Sequence, residues 1–286
     1  MAFNFSVLKV RTLSAIVFGV VILAGLFWNQ WSFFSLFFII QIGCLYEYQK
    51  LIALITPDYQ NISIVHRWGL LLLGSLLFIA LGPDDIFIYG ISIQVIASIA
   101  LPLVAAVMML ADFLGKQFKF QNWALSFIGL VYISISLSLF FPLKKIMSNT
   151  IMGDFGYAIP LVLIVAIWVN DSMAYLVGSV IGKTPLSAIS PNKTWEGTIA
   201  GVVLSVVLVT KVMGIYIPMS EKIIFIISLT AAIAGTFGDL IESKLKRLAQ
   251  VKDSGSMMPG HGGFLDRFDS ILLATPFVWV ILQFLL

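Results

Sequence analysis

The chain has 286 residues, 60% of them hydrophobic, and 11% are charged where a soluble domain carries about 25%. Its net charge is +3 and its mean hydropathy is +1.03. These values exclude a soluble globular domain and a disordered chain, and the single cysteine, Cys44, excludes a disulfide scaffold. What remains is an all-α polytopic integral membrane protein.

A helix that crosses the hydrocarbon core needs about 20 mostly apolar residues. In chain order the sequence predicts about nine transmembrane helices: Thr12 to Trp28, Trp31 to Tyr46, Trp68 to Leu81, Ile86 to Leu110, Trp123 to Leu143, Phe155 to Ile181, Thr198 to Ile217, Lys222 to Ile241 and Ser270 to Leu286. The first two are joined only by Asn29 and Gln30, which predicts a tight helical hairpin. The first resembles a signal peptide, with Lys9 and Arg11 before an apolar run, but no small-residue cleavage site follows and it reads as retained. The third is short and can either borrow length from Val65 upstream or form a hairpin arm with the fourth. Trp28, Trp31, Trp68, Trp123 and Trp195 stand near span ends as interface anchors. His66, beside Arg67, reads as interfacial, and Lys211 as close enough to a helix end to snorkel. The spans divide into an N-terminal group of about five (1–145) and a C-terminal group (146–286) with the connecting loops 182–197 and 242–269.

Lys and Arg counts set the orientation. With the N-terminus inside, thirteen of the 17 Lys and Arg fall on the cytoplasmic side. Lys144, Lys145 and Lys222 fall outside, and Lys211 lies within a span. Both charged loops then face the cytoplasm.

Chemistry concentrates in those loops. Asp239 to Asp269 holds ten of the 31 charged side chains, with Asp239, Glu242, Asp253, Asp266 and Asp269 interleaved with Lys244, Lys246, Arg247, Lys252 and Arg267. Asp239, Glu242, Ser243 and Lys246 follow at helical spacing on one face, where an apolar helix leaves the membrane. Pro259, Gly260, His261, Gly262 and Gly263 form a loop able to approach a ligand closely. Asp266 and Asp269 stand three residues apart as the last helix begins. Carboxylates suit a hard divalent cation, and the basic side chains suit phosphates. Mixed signs at one place fit a metal–nucleotide complex better than a sink for one sign of charge.

A second cluster flanks the sixth span. Asn170 and Asp171 interrupt an apolar run, and an intramembrane carboxylate marks function unless it is structurally paired. Asp171, Tyr175, Gly178 and Gly182 form a polar and small stripe. Beyond Lys183, the run Ser190, Pro191, Asn192, Lys193, Thr194, Trp195, Glu196, Gly197 gathers hydroxyls, an amide and a Lys at the start of the next helix. That is a natural place for phosphate.

These residues resemble a known family. Ser243-x-Leu245-Lys246-Arg247, Lys252-Asp253-x-Gly255 and Pro259-Gly260-His261-Gly262-Gly263-Phe264-x-Asp266-Arg267-Phe268-Asp269 match, over 27 residues, the signature of phosphatidate cytidylyltransferases, also called CDP-diacylglycerol synthases. Trp168-x-x-Asp171-x-x-Ala174-Tyr175-x-x-Gly178 and Ser190 to Gly197 look like further family motifs. Met258 and Asn192 depart from the usual pattern, and at Asn192 a Lys is common.

The resemblance implies an Mg²⁺-dependent nucleotidyltransferase that condenses CTP with phosphatidic acid to give CDP-diacylglycerol and pyrophosphate, with membrane lipids as surroundings and no nucleic-acid partner. It implies metal ligands among Asp239, Asp266 and Asp269, with Asp171 as a further candidate and a second metal ion as an option. Asp239, Asp266, Asp269, Lys252 and Asp253 are the expected catalytic group. Ser190, Lys193, Ser243, Lys246, Arg247, His261, Gly262, Gly263 and Arg267 are the expected phosphate-binding group. A homodimer is carried as an expectation with no interface residue assigned. The expected location is a bacterial inner membrane, with the active site facing the cytoplasm. The alternatives are a CTP-dependent enzyme acting on an isoprenoid or ether-lipid phosphate, and a transporter. The absence of repeated halves and of a midplane site counts against the transporter.

Overall fold

The computed structural model describes residues 5–84, 86–148, 154–256 and 262–285, with side chains from residue 16 onward. The side chains of Lys9 and Arg11, and all of Pro259, Gly260 and His261, lie outside the described residues. The chain forms two compact units, 1–138 with 248–268, and 139–247 with 269–286. The segment 248–268, which carries the middle of the signature, therefore belongs to the unit built mostly from the N-terminal half.

In the first unit, α1 (Phe5–Phe27) and α2 (Gln30–Ile55) make the expected hairpin. Asn29 closes it with a capping box: its side chain accepts from the Ser32 N–H at 2.9 Å, and the Ser32 hydroxyl accepts from the Asn29 N–H at 3.0 Å. α2 runs nine residues beyond its predicted end at Tyr46, so Glu47 lies inside a helix rather than in a loop. A short α3 (Pro57–Gln60) begins with Pro at its first position, and α4 (Ile64–Leu81) is capped by the Ser63 hydroxyl.

The predicted fourth span starts too early. Phe87–Ile88 (β1) and Ile91–Ser92 (β2) form a small antiparallel hairpin, and α5 begins only at Ile93 (Ile93–Leu114). Tyr89 (φ 49°) and Gly90 (φ 80°) both take the left-handed conformation that a two-residue hairpin turn demands. The run Phe120–Ile146 begins with α6 (Phe120–Gly129), a π-helical turn (Leu130–Ile135) and α7 (Ser136–Ser138).

In the second unit, α8 (Phe140–Ile146) precedes α9 (Ala158–Ile181), α10 (Trp195–Tyr216), α11 (Glu221–Leu248) and α12 (Leu265–Leu285); the ends of α11 and α12 nearest the signature segment fall in the first unit. α9 and α10 approach closely because glycines line their contact. A Cβ on Gly197 would stand 2.6 Å from the Ala174 carbonyl oxygen, and one on Gly201 2.8 Å from that of Asn170. Small residues are what allow membrane helices to meet this closely.

Among the described residues, eight helical segments are long and apolar enough to cross a membrane: α2, α4, α5, Phe120–Ile146, α9, α10, α11 and α12. α1 adds a shorter apolar stretch, Ile16–Phe27. The all-α architecture of about nine helices is as expected, and the chain is an integral membrane protein.

His66, in the first turn of α4, is turned into the protein rather than left at its surface. It is 1% exposed, and its Nδ1 lies 2.5 Å from the Asp112 carboxylate and its Nε2 2.9 Å from the Ser126 hydroxyl. The Tyr59 hydroxyl meets Ser126 at 2.9 Å, and burial pushes that phenol up to about 12. One arrangement of protons satisfies the whole chain: Tyr59 donates to Ser126, Ser126 to His66 Nε2, and His66 Nδ1–H to Asp112. Ser63 and the Trp123 indole N–H complete the carboxylate's shell at 2.7 and 3.1 Å. Lys211 is exposed and pairs with Glu221 at 2.7 Å.

Candidate active site

The second unit holds a cleft of about 480 Å³ whose polar lining includes Asn170, Asp171, Ser190, Lys193, Thr236 and Asp239. Four elements supply it: the C-terminal half of α9, the loop before α10, the first turn of α10 and the middle of α11. The 182–194 loop is held in shape locally. Leu186 N–H donates to the Lys193 carbonyl at 2.7 Å, and Trp195 N–H to the Thr184 carbonyl at 2.9 Å. Glu196, in the first turn of α10, accepts from the N–H groups of Lys183 and Thr184 and from the Thr184 hydroxyl. Its presence beside Lys193 is thereby explained: it ties the loop to the helix that carries it. Thr194 caps α10, accepting from the Gly197 N–H at 3.2 Å.

Lys193 forms an ion pair with Asp239 across this cleft. The Ser243 hydroxyl donates to the other oxygen of Asp239 at 3.3 Å. Asp239, Glu242 and Asp269 bring carboxylate oxygens within 4.8 Å of one another. Glu242 is fully buried and pairs with Lys246 at 2.5 Å, and Asp269 accepts from the Ser270 N–H at 2.6 Å. Asn170 donates to Asp171 at 3.3 Å and to Thr236 at 3.4 Å, while its buried Oδ1 accepts no hydrogen bond.

Three carboxylates this close repel one another unless positive charge lies among them. Oxygen donors alone, with an amide oxygen lacking a donor on the adjoining cleft wall, fit a hard divalent cation such as Mg²⁺. Glu242 was noted on this face in the sequence but not counted among the ligands. Its spacing from Asp239, one helical turn, was the available signal.

The remaining signature residues gather in the first unit. Asp266 Oδ2 accepts from the Ser254 N–H at 2.8 Å, the Ser254 hydroxyl at 2.9 Å and the Gly263 N–H at 2.7 Å. Gly262 has φ +84°, so the left-handed backbone anticipated for this loop is present. The groups crowding these glycines are carboxylates. A Cβ on Gly262 would meet Asp266 at 2.6 Å, and one on Gly263 would meet Glu47 at 2.2 Å. Lys252, Asp253 and Arg267 are exposed in this unit, and Arg247 is exposed at the end of α11. Glu47 is the residue the sequence reading passed over.

A cleft lined by Asp239, with Glu242 and Asp269 close behind it, and by a basic, hydroxyl-bearing loop defines a phosphoryl- or nucleotidyl-handling membrane protein. The chain belongs to the cytidylyltransferase family, whose model it matches over residues 9–285. It is similar to the phosphatidate cytidylyltransferase of Bacillus subtilis (strain 168), with 36% identity over 195 residues, 68% of this chain and 69% of that protein. It is also similar to that of Staphylococcus epidermidis (strain ATCC 35984), with 30% identity over 279 residues, 96% of this chain and 99% of that protein. A shorter match to that of Helicobacter pylori (strain J99) reaches 43% identity over 137 residues, 46% of this chain and 50% of that protein.

Proposed function

We propose that this chain is the enzyme that condenses CTP with phosphatidic acid to give CDP-diacylglycerol and pyrophosphate, a step of phospholipid biosynthesis. The observation that carries the reading is the cleft in which Lys193 meets Asp239 beside Glu242 and Asp269, in a chain that aligns almost end to end with a phosphatidate cytidylyltransferase. An oxygen of the phosphatidate phosphate attacks the α-phosphorus of CTP. A new P–O bond forms as the bond to the β-phosphate breaks, and pyrophosphate leaves. The attacking phosphate is ionised at neutral pH, so no side chain need remove a proton.

Two polyanions must meet, and the residues divide that work by charge. Lys193, Ser190 and Thr194 bind and orient phosphate oxygens from the loop side. Asp239, Glu242 and Asp269 would hold Mg²⁺, which when bound supplies the positive charge that brings triphosphate and lipid phosphate together. Asp171, tied to Asn170, stands at the edge of this group rather than within the three. The bacterial relatives and the excess of Lys and Arg on one side support an inner-membrane location with the cleft open to the cytoplasm.

The test uses purified protein in mixed micelles and CTP labelled at the α-phosphate. Label is expected in the lipid phase only when both phosphatidic acid and Mg²⁺ are present, and chelation should remove it. Lipid labelling with an isoprenoid or ether-lipid phosphate but not with phosphatidic acid would move the substrate assignment. No labelling with any lipid phosphate, from folded protein, would overturn the reading.

A further inference from the structure

From its contacts we infer that Glu47 is a positioning residue for the reaction, the clamp that fixes Ser254, Phe264 and Leu265 at the two described ends of the signature loop. Glu47 is 5% exposed, and among the described residues its carboxylate accepts only from donors of that loop. Oε2 accepts from the Ser254 hydroxyl at 2.7 Å and the Leu265 N–H at 2.9 Å, and Oε1 accepts from the Phe264 N–H at 3.0 Å. These donors lie more than 200 residues away in sequence, so the clamp is a tertiary device. It ties α2 to the loop.

Independent observations mark the same contact. One turn before Glu47 on α2, Gly43 leaves room for the Phe264 ring: a Cβ there would stand 2.4 Å from it. On the loop, Gly255 and Gly263 are bare where Glu47 enters, since a Cβ on either would come within 2.2 Å of its carboxylate oxygens. Gly255 and Gly263 are thus small for the carboxylate's sake. The Ser254 hydroxyl lies between Glu47 Oε2 and Asp266 Oδ2, at 2.7 and 2.9 Å, and has one proton to give. The orientation of Asp266, at the head of the helix that carries Asp269, is therefore coupled to Glu47.

A carboxylate buried at this depth is costly unless its partners are charged or directed N–H and O–H groups, which is what the loop supplies. Glutamine has the same shape but replaces one acceptor oxygen with N–H donors. One of the three contacts then becomes donor against donor.

The inference rests on the proposed reaction, and its test has one arm that does not. In Glu47→Gln, kcat should fall about 100-fold, the scale of a misplaced reacting group, while KM for CTP changes by less than about threefold. Ser254→Ala should lower kcat in the same direction, and the double variant should lose little more than Glu47→Gln alone. The second arm is hydrogen exchange on the full chain in detergent. Glu47→Gln should speed exchange of the amides at 263–265 while α9 and α10 keep wild-type protection. If the wild type makes no labelled lipid but the exchange pattern changes as described, the clamp stands and the reaction falls. Unchanged exchange at 263–265, an even loss of protection across the chain, or kcat within twofold of wild type would each overturn the clamp.

Discussion

Two buried acidic sites in this molecule are built on opposite plans. In the first unit, Asp112 is a lone carboxylate surrounded by donors: Ser63, His66 and Trp123. In the second, Asp239, Glu242 and Asp269 crowd three carboxylates within 4.8 Å beside a cleft. The first is complete as it stands and holds α4, α5 and α6 together. The second gathers three carboxylates, two of them paired with Lys193 and Lys246, in an oxygen-rich group that suits a cation. A closed, donor-matched carboxylate signals stability, and several carboxylates crowded beside a cleft signal a ligand.

Substitutions should separate the two plans. The largest effect is expected at Asp239→Asn: turnover should fall at least about 1,000-fold, some 4 kcal/mol of transition-state stabilisation, while the protein inserts and melts like wild type. Near-normal turnover by the labelled-CTP assay would remove Asp239 from the site. Next comes Asp112→Asn, which leaves His66 facing an amide. Breaking a buried pair costs about 3 kcal/mol, so the melting temperature should drop clearly while kcat per folded molecule stays within about threefold. A specific loss of kcat without loss of stability would mean that the comparison misassigns Asp112. The smallest effect belongs to Lys211→Met. That pair with Glu221 is exposed on both sides, and its loss should change stability by less than about 0.5 kcal/mol and turnover not at all.

Much of this was legible in the sequence. Span positions follow from runs of apolar residues, and Lys193, Asp239 and Asp269 stand out because charge is rare in such a chain. What escaped did so at span ends. Glu47 and Asp112 fall just past the predicted ends at Tyr46 and Leu110, where a carboxylate reads as an ordinary loop residue. α2 and α5 continue past both, and the helix turns each side chain into the interior. The partners of Glu47 at Ser254, Phe264 and Leu265, and those of His66 at Asp112 and Ser126, are too distant in sequence for any local pattern to pair them. The hairpin at Phe87–Ser92 was hidden for another reason. Its residues are as apolar as a span, and only the turn at Tyr89 and Gly90 separates the two outcomes. The glycines of the signature loop were noticed, but glycine reports closeness without naming the neighbour. That neighbour is Glu47.

Cys44 sits fully buried on α2, one residue from the glycine that accommodates Phe264. Thiol reagents that label exposed sulfhydryls will find the natural chain almost silent. The protein is thus its own background for cysteine scanning, without a replacement of its native thiol that would disturb the packing around α2. A single cysteine placed at the fully exposed Tyr89, on the turn between α4 and α5, would then report by membrane-impermeant maleimide which side of the bilayer that turn occupies.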